Sequence, residues 1–218
     1  MKFDHSVKGL ISSAELIFWD FDGVIKDSVS VKTSAFENLF LPYGEKIARK
    51  VKNHHEANGG VSRFEKIPLY LSWAGEVVND DLVDRFCNLF SEAVFQSVID
   101  SPWVPGVQEY LCDHCREKYF VLVTATPQDE IERILSTLEI DQYFQHVIGA
   151  PTKKTDAIRS VLEKQKVVPD DALMIGDAEA DLQAAQSNSI FFLLRRTPQN
   201  LHLQNRYNGL QFDDLNYE

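Results

Sequence analysis

The chain predicts an α/β fold: a parallel sheet covered by helices on both faces and interrupted once by a small helical unit. Three observations carry this expectation. Five short apolar runs are continuous rather than alternating, as in strands buried on both sides: Leu16 to Trp19, Phe120 to Val123, His146 to Ile148, Ala172 to Ile175 and Ile190 to Leu194. Between the later runs lie helically spaced residues, namely Ile131, Ile134, Leu135 and Leu138, then Ile158, Val161 and Leu162, then Leu182 and Ala185. Strands alternating with helices imply a parallel sheet with crossovers. The first two runs, however, are about a hundred residues apart, too far for one crossover, so something is inserted there.

Taken in order, Met1 to Ser13 mixes Lys2, Asp4, His5 and Lys8 with isolated apolar residues, which is not the plan of a signal peptide. A cytoplasmic protein is expected. After the first strand, Phe64, Ile67, Leu71 and Ala74 trace one amphipathic helix, and Leu82, Phe86, Leu89, Ala93 and Val94 another. Pro102, Pro105 and Gly106 mark the return to the sheet. The expected units are thus an α/β core of residues 1–26 and 103–218 and a helical insertion of residues 27–102. Past Leu194 the chain is rich in Asn, Gln and Asp and reads as a loose surface extension. The three cysteines are too few for a disulfide framework, and Cys112-Asp113-His114-Cys115 lacks the second ligand pair of a structural zinc site. With Val107, Tyr110 and Leu111 it reads as a packed helical face.

The charge balance narrows the partners. Twenty-two Lys and Arg stand against 33 Asp and Glu, a net charge of -11, which argues against nucleic acid and against an anionic membrane surface. No apolar run approaches the roughly 20 residues that cross a bilayer.

Four strand ends carry polar residues suited to chemistry. The first opens into Asp20-Phe21-Asp22-Gly23, two carboxylates at the carboxyl edge where ligands of open parallel sheets bind; their repulsion calls for a cation, and hard oxygen ligands suit Mg²⁺. The second ends in Thr124-Ala125-Thr126-Pro127 before a helix, either an anion site or a helix cap. The third gives way to Gly149-Ala150-Pro151-Thr152-Lys153-Lys154, where a lysine faces the same edge. The fourth ends in Gly176-Asp177-Ala178-Glu179-Ala180-Asp181, adding two carboxylates one helical turn apart.

In this order the four motifs resemble the haloacid dehalogenase superfamily, in its phosphatase branch, over about Leu16 to Asn38 and Trp103 to Leu194. The resemblance implies a Rossmann-like core with a helical cap domain inserted between the first two motifs. It implies a Mg²⁺-dependent hydrolase, a phosphatase, cleaving a small phosphorylated metabolite such as a sugar phosphate or a phosphoglycolate-like acid. Asp20 would be the nucleophile and Asp22 the acid and base. Thr124 and the Ala125 N–H would hold the phosphoryl group with Lys154, preferred over Lys153 because it directly precedes the helix. Asp20, the main chain of Asp22, and Asp177 would hold Mg²⁺, with Asp181 ordering its water shell or the lysine. A monomer or homodimer is expected. A phosphosugar mutase of the beta-phosphoglucomutase type is the nearest alternative, and a non-catalytic binding module of the same fold another. Dehalogenation is disfavoured, because the dehalogenating members lack a second carboxylate at position 22.

The insertion would carry specificity. In Gly59-Gly60-Val61-Ser62-Arg63-Phe64-Glu65-Lys66, Arg63 is a candidate ligand for a second anionic group or sugar hydroxyls, or else a solvated first-turn residue of a helix capped by Ser62. His54 and His55 are read as substrate contacts or as an exposed helix end, and Lys32 as a residue that could reach the cleft. Cleavage of a carbon–phosphorus bond would need a Schiff-base lysine; Lys52 and Lys66 are placed for it, but nothing in their sequence setting points to a depressed pKa.

Overall fold

The computed structural model describes residues 6–216; residues 1–5, with Lys2, Asp4 and His5 of the amino-terminal reading, and residues 217–218 lie outside the described residues. Among the described residues one sheet of six strands forms: β1 (Leu16–Trp19), β2 (Tyr119–Pro127), β3 (His146–Ala150), β4 (Ala172–Gly176), β5 (Phe191–Arg195) and β6 (Gln211–Phe212). The order is β3-β2-β1-β4-β5-β6, every pairing is parallel, and β1 lies between β2 and β4. Trp19 stands beside both Leu122 and Ile175, so the residues after Trp19 emerge at the centre of the carboxyl edge.

Side chains alternate across each strand, and both faces are covered. Ile17, Trp19, Phe120, Leu122, Leu173, Ile175 and Leu193 join one core with α1 (Val7–Ser13), α6 (Val107–His114) and α7 (Gln128–Thr137). Leu16, Phe18, Val121, Val123, Ala172, Met174, Phe192 and Leu194 join the other with α8 (Lys154–Gln165), α9 (Glu179–Ser187) and α10 (Leu201–Arg206). Continuous apolar runs are the signature of that double coverage.

Between β1 and β2 lie α2 (Val29–Phe40), α3 (Glu45–Ala57), α4 (Arg63–Trp73) and α5 (Asp80–Asp100). They pack around aromatic rings: Phe36 lies 3.9 Å from Phe90 between centroids, and Tyr70 meets Phe40 edge-on at 5.6 Å. The segments entering and leaving the insertion pair with each other, Lys26 bridging Trp103 and the Val104 N–H donating to Ile25 O at 3.0 Å. On α5 the buried stripe is Phe86, Cys87, Phe90, Val94 and Val98. Leu89 and Ala93, expected on that stripe, are exposed: the buried stripe steps every four residues from Phe86 and drifts around the helix away from them. Phe64 is exposed in the first turn of α4, while Ile67, Tyr70 and Leu71 are buried.

Two further expectations are corrected. Cys112 is exposed; α6 buries Val107 and Leu111, and one residue further turns the side chain away from the core. The extension after Leu194 is not loose. It forms α10 and β6 and buries Leu203, Phe212 and Leu215. The carboxamides of Asn200, Gln204 and Gln211 bond to main chain, Gln211 to the carbonyls of Gln204 and Tyr207, both at 3.0 Å. A two-residue strand leaves no periodicity to read.

Candidate active site

The four strand ends converge. Asp20 directly follows β1; its N–H donates to Ile175 O at 3.0 Å and its side chain is buried. Lys154, the first residue of α8, is buried and reaches Asp20 Oδ1 at 2.8 Å and Asp181 Oδ1 at 2.5 Å, whereas Lys153 is exposed. Burial opposes the Lys154 charge, but Asp181 and Asp20 outweigh it and hold the ammonium above the ordinary lysine range. The other Asp181 oxygen accepts the Ala178 N–H at 3.0 Å, which fixes the first turn of α9. Asp177 packs over Gly23, a residue at φ +76° where a Cβ would lie 2.3 Å from the Asp177 Oδ2; the close approach requires glycine.

Asp22 looks elsewhere. Its carboxylate accepts from Ser28 Oγ at 2.6 Å, from Lys32 Nζ at 2.5 Å and from Thr126 Oγ1 at 3.3 Å. Lys32 also donates to Thr126 Oγ1 at 2.8 Å. Burial pushes Asp22 toward protonation, but Lys32 prevails and holds it below the usual carboxylate range. Thr124 is buried and lines the same cavity with Ala125. It does not cap α7, whose first turn has no side-chain cap; its Oγ1 accepts the Thr126 N–H at 3.2 Å.

Asp20, Asp177 and Asp181 bring carboxylate oxygens within 4.8 Å of one another. Burial pushes Asp20 up to about 7 against the pull of Lys154, and burial with repulsion from Asp20 and Asp181 pushes Asp177 well above its ordinary value. Counting Asp22, four carboxylates face two ammonium groups, Lys154 and Lys32. That deficit of positive charge and the all-oxygen donor set fit a hard divalent cation such as Mg²⁺. The Asp22 carboxylate stands outside the trio, so a share of Asp22 in holding the cation would fall to its main chain.

The insertion closes over this edge. A Cβ at Gly60 would lie 3.0 Å from Ala180 and 3.8 Å from Lys154 Nζ, and one at Gly59 3.4 Å from Ala178. Beneath is a cavity of about 80 Å³ whose floor holds Asp20, Asp22, Thr124 and Asp177 and whose roof holds Val29, Phe36, Val61 and Phe90.

Arg63 borders that cavity but is not available to an anion as expected, nor is it solvated. It is buried, and its guanidinium is spent on Glu130 of α7 and on Ser91. Ser62 does cap α4, accepting the Phe64 N–H at 3.3 Å. The buried cation without a carboxylate partner on the roof is instead Lys66, which meets His55 Nδ1 at 3.0 Å. Burial, with repulsion from Lys32, draws Lys66 down to about 7, which nothing in its sequence setting indicated. Burial takes His55 to about 2, so it is neutral, and although it lies in the last turn of α3 it is buried rather than exposed. His54 packs edge-on against Tyr70 and Trp73. Glu130 and Thr126 carried no assigned role in the sequence reading; the Thr-Ala-Thr spacing was the one signal for Thr126, and Glu130 had none.

Among known proteins, the family described as haloacid dehalogenase-like hydrolase matches residues 17–194. Phosphoglycolate phosphatase of Pseudomonas putida is 26% identical over 181 residues, 80% of this chain and 66% of that protein, and phosphoglycolate phosphatase 1 of Pseudomonas aeruginosa matches to the same extent. This chain therefore spans slightly under two thirds of the length of these relatives. Beta-phosphoglucomutase of Clostridium difficile superposes with TM-score 0.69 at 22% identity, covering 92% of this chain and 91% of that one. CbbY of Rhodobacter sphaeroides, in complex with xylulose-(1,5)bisphosphate, does so with TM-score 0.70 at 17% identity, covering 92% and 94%. No helix among the described residues is long and apolar enough to cross a membrane. The matched span runs from β1 to the end of the apolar run in β5 and contains all four strand ends that carry Asp20, Thr124, Lys154 and Asp177; the chain belongs to the haloacid dehalogenase-like hydrolase family.

Proposed function

We propose that the chain is a Mg²⁺-dependent phosphomonoesterase acting on a small phosphorylated metabolite in the cytoplasm. The observation that carries this is Asp20: a buried carboxylate at the centre of the sheet edge, paired to Lys154 and lining a cavity. An Asp20 oxygen attacks phosphorus, the bond from phosphorus to the leaving oxygen breaks, and an aspartyl-phosphate forms. Asp22 protonates the leaving alkoxide; Lys32, hydrogen-bonded to it, is the nearest proton source. Asp22 then takes a proton from water as the water oxygen attacks phosphorus and releases Asp20. Thr124 and the Ala125 N–H hold the phosphoryl oxygens, and Lys154 balances their charge. Bound among Asp20, Asp177 and Asp181, Mg²⁺ would supply further charge neutralisation.

The cavity favours a small leaving group. About 80 Å³ compares with roughly 10–15 Å³ for one water, room for a few heavy atoms beside the phosphoryl group. A phosphoglycolate-like acid fits that size better than a hexose phosphate, and the names of the Pseudomonas relatives support it.

The decisive experiment is a panel of phosphorylated metabolites with purified protein and Mg²⁺, run beside Asp20→Asn. Release of inorganic phosphate by the native protein and its loss in a folded variant are expected. Full activity of Asp20→Asn would sink the mechanism, and isomerised hexose phosphate in place of inorganic phosphate would make the protein a mutase.

A further inference from the structure

The tail after β5 lies beyond residues 17–194, the span shared with the family, yet it is bonded to the acidic loop. The contact is Asn200, which occupies the cap position of α10. An asparagine there ordinarily spends its side-chain oxygen on the first N–H groups of the helix. Asn200 makes no such bond. Its amide nitrogen reaches backward instead, donating to the main-chain oxygen of Asp177 at 2.7 Å and to that of Arg195 at 2.8 Å. Its Oδ1 accepts from the Thr197 N–H at 2.9 Å and from Gln204 Nε2 at 2.6 Å. A primary amide offers two donor hydrogens and two acceptor lone pairs, so Asn200 is saturated in one orientation.

The two carbonyls it joins have a special place in the sheet. Gly176 beside Leu194 is the last paired position of β4 and β5, and Asp177 and Arg195 are the residues that follow. Asn200 therefore clips the two strands together just where their ladder ends. Asp177 needs such an anchor. Its carboxylate is pressed toward Asp20 and Asp181, which repel it, and against Gly23, so a free peptide at this point would let the side chain turn out of the cluster. Neighbours that orient a metal ligand without touching the metal are worth roughly 10- to 100-fold in metal affinity.

We infer that Asn200 is a positioning residue for the acidic cluster: it ties the Asp177 peptide to the end of β5 and so keeps the Asp177 carboxylate in register with Asp20 and Asp181 for one divalent cation. The inference rests on the cation-binding reading proposed above.

The test is a calorimetric titration of the full chain with Mg²⁺ alone, comparing the native protein with Asn200→Ala. The expected result is Mg²⁺ binding weakened about tenfold in the variant. With saturating Mg²⁺, turnover of any phosphate ester that the native protein hydrolyses is expected to return to within about twofold, because Asn200 touches neither substrate nor reacting atoms. A lower melting temperature with an unchanged Mg²⁺ constant would make Asn200 a structural residue of the tail and overturn the inference. If Asn200→Ala does not fold, Gln204→Ala removes one of the two bonds that Asn200 Oδ1 accepts; Mg²⁺ binding weakened about twofold to threefold supports the inference, and an unchanged constant overturns it. A native protein that takes up no Mg²⁺ defeats the cation reading and the inference together, whereas equal binding by native protein and variant defeats the inference alone.

Discussion

Arg63 on α4 and Glu130 on α7 form a bidentate ion pair, Nη1 to Oε2 and Nη2 to Oε1, each at 2.7 Å. Ser91 of α5 completes the arrangement, accepting from Arg63 Nη1 at 2.5 Å and donating to Glu130 Oε2 at 2.5 Å. Burial works against the Glu130 charge, yet the Arg63 bonds hold it below its ordinary value. The pair thus ties the helical insertion to the helix that follows the Thr124 motif.

Breaking the pair from one side leaves an uncompensated buried charge. Arg63→Ala and Glu130→Ala are each expected to destabilise the fold by about 3–5 kcal/mol, and the double variant Arg63→Met/Glu130→Leu by less than either. Urea unfolding of the three variants checks this; losses that simply add would show that the two residues are not coupled.

Lys32 keeps Asp22 ionised against burial. In Lys32→Met the largest lowering influence is gone and only Ser28 and Lys154 still oppose burial, so the Asp22 pKa rises and a smaller fraction is ionised at any given pH. The acidic limb of the kcat profile, set by Asp22 as the proton acceptor of the water step, is expected to move to higher pH, with a loss of roughly 10- to 100-fold at neutral pH. A pH–rate profile with the native limb would detach Lys32 from Asp22.

Mg²⁺ is expected to raise the melting temperature, by the equivalent of about 2.7 kcal/mol at a hundredfold excess over its dissociation constant. Asp177→Asn should lose most of that gain. Without metal it should be more stable than the native chain at pH 8. The raised native-state pKa of Asp177 means that its cost is absent below the unfolded value near 3.8 and grows as pH rises, so the difference should close at pH 4. Scanning calorimetry at both pH values, with and without Mg²⁺, reads each part.

Lys66 carries the opposite sign. Its folded-state pKa, about 7 against 10.5, means that between these values the unfolded chain binds more protons, so stability rises with pH across that window. Below about pH 7 the fold bears the whole cost of a buried ammonium. Lys66→Met is therefore expected to stabilise the protein by on the order of a few kcal/mol at pH 6, with the gain fading by pH 10. Denaturant titrations at the two pH values give the comparison, and a gain independent of pH would contradict it.

Much of the sheet and its motifs was legible in the sequence because a buried strand and the polar residues at its end are adjacent in the chain. Asp20, Thr124, Lys154, Asp177 and Asp181 each follow an apolar run, and parallel topology brings all such ends to one edge. The stripe on α5 was less legible: Leu89 and Ala93 fit helical spacing as well as Phe90 and Val98, and only the packed neighbours choose between them. The tail was misread because its Asn and Gln residues look solvated, whereas the carboxamides of Asn200, Gln204 and Gln211 bind main chain.

The sequence by itself determined the fold class, the site of the insertion and the identity of the residues on the cavity floor, since periodicity and chain adjacency encode them locally. Only the tertiary structure decided which charges are paired. Arg63 meets Glu130, Lys32 meets Asp22 and Thr126, Asn200 meets Asp177, and Lys66 is left with His55. A charge paired in a buried contact and the same charge facing solvent look identical in sequence, because their difference lies in desolvation and in partners distant along the chain.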